Sequence, residues 1–196
     1  MDKEDNKFCP LEAFGVSKNE NIWIFGYGSL MWNPEFPFVQ SALGHLCGYH
    51  RRFCLYSYSY RGTEETPGLV LGLDRGGSCR GVLFEIEASK IEEALSCLWQ
   101  REMHPSDVYV ARKVPVLLRG DIHQKIEAHT FVINRKNSDY YPDPCREKAA
   151  DLISKAEGHR GTNLAYLENT VKHLRDLGIQ DQQLEDLLNR VQKRLS

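Results

Sequence analysis

The 196-residue chain has no apolar run that approaches the roughly 20 residues a helix needs to span a bilayer. It also has little net charge: 25 Lys and Arg stand against 27 Asp and Glu, a formal balance of -2. Such a balance gives no general attraction to nucleic acid or to an anionic membrane. The opening residues, MDKEDNKFCP, lack the basic-then-apolar order of a signal or transit peptide, so the protein is expected to work in the cytoplasm. The six cysteines (9, 47, 54, 79, 97 and 145) form no CxxC pair, and several sit in apolar stretches such as RRFCLY and ALSCLW. They read as reduced thiols that pack as small hydrophobes. The seven histidines are scattered, with no HExxH or paired Cys/His spacing, so no metal site is expected.

What is present suits one well-buried domain: 41% hydrophobic residues, 27% charged and a mean hydropathy of -0.48. Residues 1–20 read as a polar extension, with Phe14 able to dock back on the body, and residues 21–196 as a single domain. Strands are expected at Asn21–Phe25, Tyr49–Tyr60, Gly68–Leu73, Gly81–Glu87, Val108–Leu118 and Ala128–Asn134. The glycines of DRGGS suggest a hairpin turn between the third and fourth of these. Ser89 with Glu92 makes a capping-box pattern ahead of a helix on which Ile91, Leu95 and Leu98 recur at helical spacing. Residues 137–144 (NSDYYPDP) form a proline-rich loop, read either as a lid or as a rigid connector. Helices are expected near 145–156, 162–177 and 181–195, punctuated by Gly158, Gly161 and Gly178. Strands early and helices late give an α+β class with a largely antiparallel sheet or small barrel. The last helix, with Leu184, Leu187, Leu188 and Val191, is expected to pack on the domain, leaving a monomer or weak dimer.

Two features carry chemistry. Gly26-Tyr27-Gly28-Ser29-Leu30 follows the first strand, and its glycines permit a backbone turn with φ > 0 that gathers N–H groups around one point. Such a turn holds a carboxylate, a phosphate or an oxyanion, although a plain tight turn has the same signature. It is no dinucleotide fingerprint or nucleophile elbow, because Tyr27 and Met31 stand where those motifs need glycine. The second feature is Glu102. It lies eleven residues after Ile91, about three turns at 3.6 residues per turn, and so on the same stripe as Ile91, Leu95 and Leu98. That stripe must face the core, while Arg101 points elsewhere, and Met103-His104-Pro105 signals the helix end. Burial and the negative end of the helix dipole both favour a protonated carboxyl, which is how a glutamate becomes an acid/base group near neutral pH. A salt bridge to Arg51, Arg52 or Arg112 is the alternative.

The segments WIFGYGSLMWNP, GYHRRFCLYS, RGTEETPGLVLGL, LWQREM and GTNLAYL, taken in this order, resemble the ChaC-type gamma-glutamylcyclotransferases. The resemblance runs from about Asn21 to the C-terminus. One departure is Met31, where many relatives carry isoleucine. The resemblance implies a mixed, largely antiparallel barrel with peripheral helices. It also implies cleavage of glutathione to 5-oxoproline and Cys-Gly without a cofactor. It puts the catalytic carboxylate on Glu102. It puts the γ-glutamyl site on Ile24, Phe25, Gly26, Tyr27, Gly28, Ser29 and Leu30. Through the Asn-x-x-Tyr block of Asn163 and Tyr166, it brings the Tyr166 hydroxyl to that site.

Three other readings remain open from the sequence. The same chemistry can serve another γ-glutamyl dipeptide or amine. A non-catalytic anion-binding module is possible, although Glu102 argues against it. A nucleic-acid binder is suggested by Arg51-Arg52 beside Tyr49, Tyr56, Tyr58 and Tyr60, but the charge balance gives it no support. Arg51, Arg52 and Arg61 are candidates for holding substrate carboxylates, and each is equally readable as scaffold.

Overall fold

The computed structural model describes residues 10–102, 107–119, 121–143 and 145–195. Five strands close into a barrel in the order β1-β3-β2-β4-β5: β1 (Ile22–Gly26), β2 (Gln40–Ser57), β3 (Gly68–Ile86), β4 (Tyr109–Leu118) and β5 (Asp121–Ile133). All the pairings are antiparallel except β1 with β5, which closes the barrel in parallel through Trp23 and Ile24 opposite Ala128 and His129. The architecture is therefore the mixed, largely antiparallel α+β barrel expected.

The two faces of β1 show how the barrel is filled. Phe25 joins Leu46, Leu83, Val116 and Ala128, one side chain from each strand, in a buried interior cluster. Ile24 points the other way and packs with Leu95 and Leu98 in the larger cluster outside the barrel. This is the two-residue alternation of a strand buried on both faces.

Helices cover that outer face: α1 (Pro10–Phe14), α2 (Ile91–Glu102), α3 (Arg146–Lys155), α4 (Asn163–Asp176) and α5 (Gln182–Leu195). The polar extension is thus helical near its end. Phe14 does dock on the body, edge-on to Phe131 at 5.5 Å and to Trp99 at 6.5 Å. On α5, Leu184, Leu187, Leu188 and Val191 are buried, as their spacing requires.

Several sequence expectations need correction. DRGGS is no hairpin turn, because β3 runs unbroken for 19 residues. Gly76 and Gly77 take positive φ (99° and 65°) as a bulge opposite Gly48, where the register steps from Cys47↔Ser78 to Tyr49↔Arg75. The long partner β2 continues past this point on the other side, so the left-handed glycines add a kink and the strand goes on. β2 starts at Gln40 and β5 at Asp121, well ahead of their apolar cores. The capping box does not form: Ser89 Oγ donates to Glu87 Oε2 at 3.1 Å and sits in a short 3-10 turn, Ala88–Lys90. Residues 137–143 behave as a connector. Tyr56 N donates to Asp139 O and Tyr141 N to Cys54 O, which ties this loop along β2. Residues Met103–Ser106 and Pro144 lie outside the described residues.

One packing detail positions the site. β1 pairs with β3 only from Val82 to Ile86, so Leu69 and Leu71 have no strand neighbour on that edge. Unpaired backbone groups in a core are costly. Asn163, at the start of α4 and fully buried, pairs both groups of Leu69: its Oδ1 accepts from Leu69 N at 2.6 Å and its Nδ2 donates to Leu69 O at 2.7 Å. Thr162 caps α4 by accepting from Ala165 N at 3.1 Å. Asn163→Ala removes both bonds to Leu69 and is expected to cost about 2–4 kcal/mol. Urea unfolding measures this, and a loss under about 1 kcal/mol would contradict the bracing role.

Candidate active site

β1 delivers the chain to Gly26, and the turn that follows lies at the mouth of a pocket. Neither Gly26 nor Gly28 takes a positive φ, which corrects the expected nest geometry. A Cβ on Gly26 would lie 3.1 Å from Leu30 Cβ, a tight contact that glycine avoids. Gly28 (φ -125°, ψ -135°) leaves the strand direction and starts a single 3-10 turn over Ser29–Met31. The first amides of such a turn, here those of Ser29 and Leu30, have no carbonyl one turn back to donate to. The turn is held from behind by Arg51, which is 3% exposed. Its Nη1 donates to Tyr27 O at 2.6 Å, its Nη2 donates to Arg80 O, and its Nε forms an ion pair with Asp181 Oδ2 at 2.9 Å, without hydrogen-bond alignment.

The pocket has a cavity volume of about 50 Å³ and is lined by Tyr27, Gly28, Ser29, Leu30, Leu71, Glu102, Tyr109, Phe131 and Tyr166. Six of the residues singled out in the sequence thus meet in one place: Tyr27, Gly28, Ser29, Leu30, Glu102 and Tyr166. The other three do not line it. Ile24 and Phe25 are buried in the two core clusters, and Gly26 is the last residue of the strand beneath the turn. Those three support the site from below.

Glu102 is the last residue of α2, and its side chain is 16% exposed. Ile91, Leu95 and Leu98 on the same stripe are fully buried, so the helical period carries the carboxylate inward. Burial raises its pKa above the ordinary 4.5, opposed by the nearby Arg101. The ion partner is Arg101, at 3.4 Å from Nε to Oε1, and neither Arg51, Arg52 nor Arg112.

Helical spacing points Arg101 away from the stripe, but its long side chain folds back along the site. Nη2 donates to Ser29 Oγ at 2.8 Å, while Nη1 donates to Asn33 O at 2.6 Å and to Glu35 Oε2 at 2.9 Å. One guanidinium therefore links the glycine turn to the carboxylate. Glu35 has a positive φ of 56°, rare for a residue with a side chain, and its carbonyl accepts from Cys97 Sγ at 2.9 Å. Strain of this kind is held where the surroundings fix the conformation.

The sequence also did not single out Leu71, Phe131 or Tyr109, and of these Tyr109 is the polar one. Its hydroxyl donates to Leu71 O at 2.8 Å. Three phenols face the pocket, and burial is the main cause that keeps each protonated. Tyr27 and Tyr109 lie well above their ordinary value, Tyr27 next through Tyr109 and Glu102, Tyr109 next through Glu102. Burial pushes Tyr166 up to about 12, with the Leu71 backbone opposing and Glu102 adding to the rise. With the Tyr109 hydrogen committed to Leu71 O, the site offers the neutral hydroxyls of Tyr27 and Tyr166 as donors beside one poised carboxyl. That arrangement can accept a proton from an amine and stabilise an oxygen that gains charge.

A family model described as ChaC-like protein matches residues 22–194. The chain is 38% identical over 177 residues to the glutathione-specific gamma-glutamylcyclotransferase of Escherichia coli (strain K12), covering 89% of this chain and 74% of that one. It is 34% identical over 162 residues to glutathione-specific gamma-glutamylcyclotransferase 1 of Danio rerio, with 82% of each covered. In fold it is similar to a crystal structure of a yeast gamma-glutamyl cyclotransferase specific to glutathione, with a TM-score of 0.77 at 21% identity over 89% of this chain and 97% of that one.

The raised pKa has a consequence for stability. Glu102 contributes fully below about pH 4.5, where the folded and unfolded chains both hold the proton. The contribution is lost as pH rises through the higher folded-state value, because a charge is then buried. Glu102→Gln cannot ionise, so its Tm is expected to match the wild type in acid and to exceed it at neutral pH. Thermal melts from about pH 4 to 8 read this directly, and a Tm difference that ignores pH would contradict it.

Proposed function

The chain belongs to the ChaC-like family, and on that premise we propose that it is a glutathione-specific gamma-glutamylcyclotransferase, splitting glutathione into 5-oxoproline and cysteinylglycine. The observation that carries the reading is the buried Glu102 carboxyl at the end of α2, set in one pocket with the Tyr27–Leu30 turn and Tyr166.

The nucleophile is the substrate's own α-amine. It attacks the γ-carbonyl carbon, closing a five-membered lactam, and the C–N bond to the cysteinyl nitrogen breaks. Ring closure of a well-oriented chain can reach effective molarities on the order of 10⁵–10⁸ M. The protein's first task is therefore to fold the γ-glutamyl arm. Its second is to move protons, because the α-amine is mostly ammonium at neutral pH and two protons leave that nitrogen as it becomes the lactam N–H. In this reading Glu102 takes the first and returns it to the departing cysteinyl nitrogen, then takes the second, which ends on the released amine of cysteinylglycine. A carboxyl held above its usual value suits both directions of transfer.

The amides of Ser29 and Leu30 and the protonated hydroxyls of Tyr27 and Tyr166 supply hydrogen-bond donors for the carbonyl oxygen as it becomes an oxyanion, or for the α-carboxylate. Arg101, through Ser29 Oγ and its 3.4 Å approach to Glu102, keeps the turn and the carboxylate in register. The five described cysteines are all free thiols, which fits a cytoplasmic site of action, where glutathione is abundant and reduced.

Incubation of the purified protein with reduced glutathione, followed by mass spectrometry, is expected to yield 5-oxoproline and cysteinylglycine in equal amounts. Glu102→Gln should retain its fold and lose about 10²–10⁴-fold in turnover, since an amide cannot accept the ammonium proton. Glutamate in place of 5-oxoproline would mean hydrolysis by water and would overturn the intramolecular mechanism.

A further inference from the structure

Glutathione carries a second carboxylate, on its glycine, about 7 Å beyond the γ-carbonyl when the two intervening residues are extended. Three arginines were candidates for such a group, and the structure separates them. Arg51 is enclosed behind the turn with Tyr27 O, Arg80 O and Asp181. Arg52 Nε lies 3.1 Å from the buried Asp74, and its Nη2 donates to Tyr141 O. Both are occupied by the scaffold.

Arg61 differs. It follows β2, at the start of the loop that leads into β3, and its backbone N–H donates to Ser57 Oγ at 3.0 Å. Its guanidinium carbon stands 5.1 Å from the ring centroid of Tyr166, one of the pocket-lining residues. Its protein hydrogen bonds go to carbonyls, those of Arg160 and, at 3.5 Å, Thr162, and both leave from Nη1. The edge formed by Nη2 and Nε is the one that suits a bidentate carboxylate. Among the described residues no carboxylate pairs with it. Burial lowers its pKa, the Tyr166 phenol opposes the shift, and a second guanidinium, Arg160, adds to it.

The placement is rigid. A small antiparallel hairpin, Glu157–Gly158 with Gly161–Thr162, lies against the end of β2: His159 N donates to Ser59 O at 3.0 Å and Arg160 N to Tyr60 O at 3.1 Å. A Cβ on Gly158 would come within 2.4 Å of Ser59 O, so glycine permits this contact. The hairpin carries the Arg160 carbonyl under Arg61 and leads directly into α4, which bears Tyr166. A half-buried guanidinium beside the pocket wall, with a like charge for a neighbour and no counter-ion among the described residues, is built to receive an anion.

We propose that Arg61 receives the glycine carboxylate of glutathione as the tail leaves the pocket past Tyr166, and so selects a Cys-Gly leaving group over an uncharged one. This rests on the glutathione reading above. It makes Arg61 a specificity residue that touches substrate at the far end from the reacting atoms, with the charge of Arg160 adding to the attraction. Since the glycine carboxylate is unchanged by ring closure, the contact serves binding more than chemistry and acts chiefly through KM.

The test compares glutathione with its glycine-amide analogue, in which only that carboxylate is neutralised, on wild type, Arg61→Gln and Arg61→Lys. Wild type should prefer glutathione by about 10- to 100-fold in kcat/KM, mostly in KM. Arg61→Gln should treat the two substrates nearly alike, and Arg61→Lys should recover part of the preference. The wild-type comparison does not depend on any variant folding. Equal turnover of both substrates by wild type would overturn the subsite while leaving the reaction standing, as would an undiminished preference in Arg61→Gln. A wild type inert toward glutathione would instead contradict the proposed reaction, and the subsite with it.

Discussion

The edge of β3 at Leu69 and Leu71 lies beyond the reach of β1, so its buried donors and acceptors must be paired by something other than a strand. Side chains do this. Asn163 pairs both groups of Leu69, and Tyr109 donates to the carbonyl of Leu71. Tyr166 sits one helical turn after Asn163 and therefore comes down beside Leu71, in the pocket. The requirement to satisfy a short piece of open backbone thus docks α4 on the barrel and brings two phenols to the site. The same docking carries the small hairpin against Ser59 and Tyr60, which fixes Arg61. Loosening that edge would disturb the site and its approach together.

A second dependence runs through Arg101. Glu102 is driven inward by the helical period, and an isolated buried carboxylate would hold its proton too firmly to serve as a base. The guanidinium at 3.4 Å offsets part of that burial without neutralising it, because it also bonds Ser29, Asn33 and Glu35. The carboxyl is left raised but still able to ionise. Glu35, strained into the left-handed region, is one of the groups that orient this arginine.

Much of this was legible in the sequence where a local rule governs. Ile91, Leu95, Leu98 and Glu102 share a stripe by period alone, and the three late helices follow from apolar spacing between glycines. What was hidden depends on distant partners. The DRGGS bulge looks like a turn until the long β2 is seen running past it. The first half of β2, from Gln40 to Gly48, breaks its apolar residues up with glycines and polar groups, and it forms a strand because β3 and β4 pair with it. Arg101 sits next to Glu102 on the helix and should face away. Only the length of its side chain lets it fold back, and no periodicity reports that. Tyr109 joins the site by bonding a carbonyl on another strand, which leaves no mark in its own neighbourhood. The family resemblance named Tyr166 without the physical reason, which is the open edge at Leu71.

The central claim is that Glu102 is a buried carboxyl with a raised pKa that takes up the substrate's proton. The most direct measurement is a 13C NMR titration of its side-chain carboxyl, in wild type and in Arg101→Gln, set beside the acid limb of kcat/KM. The account predicts a midpoint above the ordinary 4.5, a higher one when Arg101 is removed, and an acid limb that moves with it. A carboxyl that titrates at or below the ordinary value, or an acid limb that stays in place when Glu102 shifts, would contradict it.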